Sequence, residues 1–125
     1  MARFTHLKIY KDSFSLFLKY NTFFPNISKK YKYTLGAQIQ TLLLENFRLI
    51  IRINRIFESS KKKLLIEKMI VNLEEVLILF RTLQFLKEIS KGLYLEISAT
   101  ILELLKQAEG WLKFETQKLS SNSNY

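Results

Sequence analysis

Apolar side chains recur along the chain at steps of three and four. Leu7, Tyr10, Phe14, Phe17 and Leu18 alternate with Lys8, Lys11, Asp12, Ser15 and Lys19, the spacing of an amphipathic helix whose core-facing stripe is the apolar set. Phe23-Phe24-Pro25 follows, and because the residue before a proline is pushed out of the helical region, this helix is expected to stop near Asn21. Asn26 to Tyr33 then reads as a basic, aromatic loop, with Thr34 as the N-cap of a second helix. The face of that helix, Leu35, Ile39, Leu42, Leu43, Ile50, Ile53 and Phe57, holds for about six turns, to Glu58.

Ser59-Ser60 and the lysines after them predict a short polar connection, with a third helix starting near Lys62. From Leu64 to Phe80, 12 of 17 positions are apolar, so the third helix is hydrophobic nearly all round and is expected to be covered by several neighbours, other subunits included. Gly92 is placed to end it near Ile89. Tyr94, Ile97, Ile101, Leu104, Leu105, Ala108, Trp111 and Leu112 make a fourth stripe, with Glu96, Glu103, Lys106 and Lys113 on the other faces. The expectation is an all-α, up-and-down four-helix bundle over residues 1–119, followed by a disordered polar tail at 120–125.

Composition supports helices over strands. The chain has 125 residues, 48% of them apolar, with 22 Leu and 13 Ile but two Val, three Gly and one Pro, too few turn-formers and β-branched residues for an all-β domain. Without cysteine there is no disulfide framework or zinc knuckle, and a reducing compartment, the cytoplasm, is expected. The longest apolar run, Val76 to Phe80, is far shorter than a membrane span, and the first residues lack the apolar core of a secretory signal.

Charge changes this picture more. Twenty Lys and Arg against 11 Asp and Glu give +9, and the imbalance is local: up to Lys63 there are 13 basic and three acidic residues, net +10, and beyond it seven and eight, net −1. Arg48, Arg52 and Arg55 fall at i, i+4 and i+7 of the second helix, one stripe of three guanidinium groups. Lys29, Lys30 and Lys32 flank one end of that helix, and Lys61, Lys62 and Lys63 the other. Such a set can neutralise phosphates of RNA or DNA. The alternatives are a solvated face, or an acidic protein surface met through bidentate arginine contacts.

Other residues carry weaker signals. Nine of the 17 aromatics lie in the first 33 residues; Tyr31 and Tyr33, interleaved with lysines, could stack on unpaired bases or pack over a helix end, while Tyr10, Phe14 and Phe17 read as core. Trp111 holds a core-type position suited to subunit packing. Asn46, near the middle of the second helix's apolar face, could fix register or oligomeric state, or simply be hydrogen-bonded at the core edge. Gly36, in the first turn of that helix, points to a close backbone approach. His6 has no partner in sequence. With one His, one Asp and no Cys, and without a P-loop, a dinucleotide-binding fingerprint, an H-E-x-x-H or a Glu-x-x-His pair, no catalytic residue, metal, cofactor or small-molecule substrate is expected.

The segment Phe24-Pro25, then Lys29-Lys30-Tyr31-Lys32, then Tyr33-Thr34-Leu35-Gly36 with Ile39 resembles the F-P, basic, Y-T-L-G-x-x-I pattern of the accessory variability determinant (Avd) proteins of diversity-generating retroelements. The likeness continues through Leu43, Leu44, Ile50 and Asn54, and resumes at Glu103-Leu104-Leu105 and Gly110-Trp111-Leu112-Lys113, similar to that family's closing G-W-x-K. Proteins encoded in 23S ribosomal RNA intervening sequences share the bundle and the F-P entry, but their S-x-x-x-N-I-A-E-G stretch is replaced here by Glu45-Asn46-Phe47-Arg48-Leu49-Ile50-Ile51-Arg52-Ile53-Asn54-Arg55. The Avd resemblance implies a ring-shaped homopentamer without enzymatic activity that binds a reverse transcriptase and its template RNA. The intervening-sequence alternative implies a structural or protein-interaction bundle whose basic face meets an acidic partner.

Overall fold

A computed structural model describes residues 7–123, with side chains through Ser121. About 90% of it is helix, without strands among the described residues. Helix α1 spans Lys8–Phe23, α2 spans Ala37–Arg55, α3 spans Ser59–Phe85 and α4 spans Lys91–Ser123. Each packs on its neighbours in sequence, and α4 closes back on α1. The polar contacts give the directions. Gln38 bonds Glu75 while Glu45 pairs with Lys68, so α2 and α3 run antiparallel; Lys8 meets Glu103 while Lys19 meets Glu96, so α1 and α4 do too. Tyr20 with Gly36 and Phe17 with Phe47 set α1 against α2 in the same sense. The result is an up-and-down four-helix bundle.

Its core is aliphatic, with Tyr20 and Phe80 in edge-to-face contact at 5.6 Å between ring centroids. The stripe of α1 differs from the expected one. Ile9, Ser13, Leu16 and Tyr20 are buried, one residue out of phase with Tyr10, Phe14 and Phe17. Helix α1 carries two apolar faces about 100° apart; the aliphatic one enters the core, while the aromatic one forms a seam with Phe47 of α2, Phe17 edge-on to it at 5.3 Å. Phe14 touches Phe47 at 6.0 Å yet stays 43% exposed.

The expected loop between the first two helices is helical. Helix α1 runs two residues past Asn21, and Pro25 sits at the start of a 3-10 turn, Phe24–Asn26, where a missing N–H costs nothing. Ile27 is buried at this end of the bundle. A short α-turn, Lys29–Tyr31, and a π-turn, Lys32–Gly36, lead directly into α2. Thr34 therefore lies inside the π-turn, its Oγ1 bonded to the Tyr31 carbonyl at 3.3 Å, and is not an N-cap; extended Ser28 precedes the helix instead. A π-turn carries one residue more than α geometry needs, and here its last carbonyl, on Gly36, accepts the buried Tyr20 hydroxyl. The close approach expected at Gly36 is present: a Cβ there would lie 3.1 Å from Phe24 and 3.2 Å from the Tyr20 oxygen.

Helix α2 ends at Arg55 rather than Glu58, and α3 starts at Ser59 rather than near Lys62. The serines and lysines read as a connection form the first turn of α3, where serine is well tolerated. Phe57 thus falls in an extended link and is 83% exposed rather than core. Helix α3 ends at Phe85, four residues before Ile89: Lys87 takes φ 62°, its N–H bonds the Gln84 carbonyl at 3.0 Å, and the Glu88 N–H bonds that of Leu83 at 2.9 Å. This is a Schellman closure with lysine in the place expected of Gly92, which lies instead in the first turn of α4, behind a Ser90 cap on the Leu93 N–H at 3.1 Å. Helix α4 continues through Ser123, so the part of the expected tail at 120–123 is helical; Asn124 and Tyr125, like His6, lie outside the described residues. No described helix is long and apolar enough to cross a membrane.

Candidate nucleic-acid interface

The arginine stripe stands on the surface of α2. Arg48, Arg52 and Arg55 are all exposed, and no carboxylate among the described residues lies within ion-pair distance of them. Their neighbour Glu45 is engaged elsewhere, with Lys68 at 3.1 Å. The phase follows from the buried residues of α2, Ile39, Leu42, Asn46, Leu49, Ile50 and Ile53: positions 48, 52 and 55 lie on the opposite side of the wheel.

The nine basic residues do not form one patch. Arg52, Arg55, Lys61, Lys62 and Lys63 gather where α2 passes into α3, Arg52 and Lys61 lining a shallow groove of about 180 Å³ with Ile56, Leu64 and Leu65. Glu58 is the one acid of this stretch, and it pairs with Lys61 at 3.5 Å and accepts from Ser60 at 3.1 Å. Lys29, Lys30 and Lys32 lie at the opposite end, roughly 30 Å away along the helix at 1.5 Å per residue. There Lys32 donates to the Pro25 carbonyl at 3.1 Å and lies over the Phe24 ring, and Lys30 lies over Tyr31. The two tyrosines divide: Tyr31 packs against the core, as a residue covering a helix end, while Tyr33 is 70% exposed.

Three polar sites lie elsewhere. Between α1 and α4, an open cleft of about 390 Å³ is lined by Asp12, Ser15, Ala99, Thr100 and Glu103. Lys8 bonds Asp12 at 2.8 Å and Gln107 donates to the same oxygen at 2.7 Å; these two hydrogen bonds, Lys8 first, hold the Asp12 carboxyl below its ordinary range. Asn46 and Asn72 form a buried amide pair, Asn72 Nδ2 donating to Asn46 Oδ1 at 2.9 Å. Asn46 is thus satisfied within the chain, a partner that periodicity could not supply. Glu115 is buried and accepts from Ser59 at 3.0 Å, tying the last turns of α4 to the first of α3.

Trp111 is half-buried beside Leu7, Ile9 and Gln107 at the α1–α4 groove. The residue that sequence reasoning misplaced at the basic end is Phe57. Its i+4 step from Ile53 continues the helical stripe, and the signal against it is Ser59-Ser60, which opens the next helix and forces the chain to leave α2 first. No protein-family model, curated protein or solved structure matches this chain.

Proposed function

We propose that this chain is a non-enzymatic, cytoplasmic accessory protein of a diversity-generating retroelement, which binds a reverse transcriptase and template RNA and supports mutagenic copying. The observation that carries the nucleic-acid part is the row of exposed arginines, Arg48, Arg52 and Arg55, without a carboxylate partner among the described residues. Arginine is desolvated more readily than lysine and grips phosphate in a fork, so an unneutralised row of three favours an anionic ligand. The retroelement assignment rests on the Avd resemblance of the motifs around Thr34-Leu35-Gly36 and Gly110-Trp111.

The same reading has copies of the chain closing into a ring, a pentamer by the resemblance. In its favour, Leu64, Val71, Ile78 and Phe85 recur every seven residues along α3 and are all exposed, an apolar line that association would remove from water. Light scattering at micromolar concentration should return a closed oligomer; a monomer would overturn this part.

RNA binding is tested by fluorescence anisotropy across a salt series. Affinity for a structured RNA should fall steeply with salt, and Arg48→Glu with Arg52→Glu should weaken it and flatten the slope of log K against log salt by about 0.7–0.9 per lost contact. Equal retention of RNA by wild type and the double variant, with binding to an acidic protein surface lost instead, would favour the protein-interaction bundle. A reverse transcriptase and two near-identical repeats beside the coding sequence would support the retroelement assignment.

A further inference from the structure

We infer that Phe57 is a stacking platform for an unpaired base, so that the ligand at the basic end of the bundle is single-stranded RNA; this rests on the RNA-binding reading above. Residues 56–58 link α2 to α3 outside either helix, and Ile56 and Glu58 are extended, with ψ 137° and 116°. Ile56 lines the groove with Arg52, Lys61, Leu64 and Leu65, and Phe57, the next residue, stands in solvent, 83% exposed.

The charge around the ring selects the occupant. Along the chain, positions 52–63 hold Arg52, Arg55, Lys61, Lys62 and Lys63 against Glu58, five positive charges and one negative, net +4; Glu58 is already bonded to Lys61 and Ser60, and Glu115, which α4 brings to this end, is buried against Ser59. Arg55 precedes Phe57 by two residues and Lys61 follows it by four, so cations flank it on both sides along the chain. A single strand offers a base face between two phosphates, the pattern that an aromatic ring set among cations accepts. A duplex keeps its base faces within the stack and can use only the cations.

The test measures anisotropy of a short labelled oligouridylate and of a blunt RNA duplex of equal length. Phe57→Ala should weaken oligouridylate binding by roughly 5- to 150-fold, leave the salt slope unchanged, and leave the duplex unaffected; Phe57→Tyr should retain the wild-type affinity. Helical circular dichroism of both variants should match wild type, since the ring is outside the core. Unchanged oligouridylate affinity in Phe57→Ala would overturn the inference while leaving RNA binding intact. So would equal loss for both RNAs together with a change in assembly mass, because the ring would then be packing against another protein chain. Absence of salt-dependent binding to either RNA by the wild-type protein would overturn the RNA-binding reading itself and stacking with it.

Discussion

The amide pair between α2 and α3 gives a direct test of what holds those helices in register. Asn46 and Asn72 are 3% and 6% exposed, and Asn72 Nδ2 donates to Asn46 Oδ1 at 2.9 Å, whereas the Asn46 amide reaches the Met69 carbonyl only at 3.5 Å. Replacing Asn72 by Leu, which keeps the number and branching of side-chain heavy atoms, leaves the Asn46 oxygen without its donor where water does not reach, at a cost of about 1–3 kcal/mol. Asn46→Leu strands the Asn72 amide in the same way. Replacing both leaves nothing stranded and adds apolar contact, so the double variant should lie within about 1 kcal/mol of wild type. The double-mutant cycle should therefore close with a coupling of roughly 2 kcal/mol or more. Urea unfolding followed by helical circular dichroism measures it, at one fixed protein concentration so that assembly does not enter the comparison. Single costs that simply add in the double variant would refute the pair as a unit, and a single variant as stable as wild type would show that water already serves the amides.

Three further outcomes follow from particular contacts. Gly36→Val places carbon against Phe24, Tyr20 and Ile27 at 3.1–3.4 Å and should cost about 1–3 kcal/mol as overpacking, seen as a lower thermal midpoint. Burial pushes the Tyr20 phenol above its ordinary 10.0; below that pH it is neutral folded or unfolded, and above it only the unfolded chain ionises, so stability is full up to about pH 10 and falls as pH rises toward the folded value. Phenolate absorbance should accordingly show one tyrosine titrating only with unfolding, and that tyrosine should be missing from Tyr20→Phe. Asp12, held below its ordinary 3.8 by Lys8 and Gln107, contributes stability above that pH which is lost as pH falls through the depressed folded value, and Asp12→Asn should flatten this acid limb of the stability curve.

Legibility differed from element to element for reasons that can be named. The bundle itself was readable, because Ile39-Leu42-Leu43-Ile50-Ile53 and Ile97-Ile101-Leu104-Ala108 each keep a helical period. The stripe of α1 was not, because Ile9-Leu16-Tyr20 and Tyr10-Phe14-Phe17 are equally periodic, and only packing against α2 and α4 chooses between them. Boundaries failed where a side chain from elsewhere takes over local control: the Tyr20 hydroxyl holds the Gly36 carbonyl, and Lys87 adopts the left-handed turn that glycine was expected to make.

The candidate interface divides along the same line. That Arg48, Arg52 and Arg55 share a face follows from their spacing alone, because 100° per residue leaves no other arrangement once the segment is helical. So does the division of the lysines, since those flanking α2 in sequence lie at opposite ends of a rigid rod. Sequence by itself determined an all-helical bundle with its positive charge in the first half, because local period and composition are properties of the chain. Tertiary structure alone decided that Phe57 faces solvent, that Glu115 is buried against Ser59, and that Asn46 finds Asn72, because each depends on where one helix ends or on what a second helix brings opposite it.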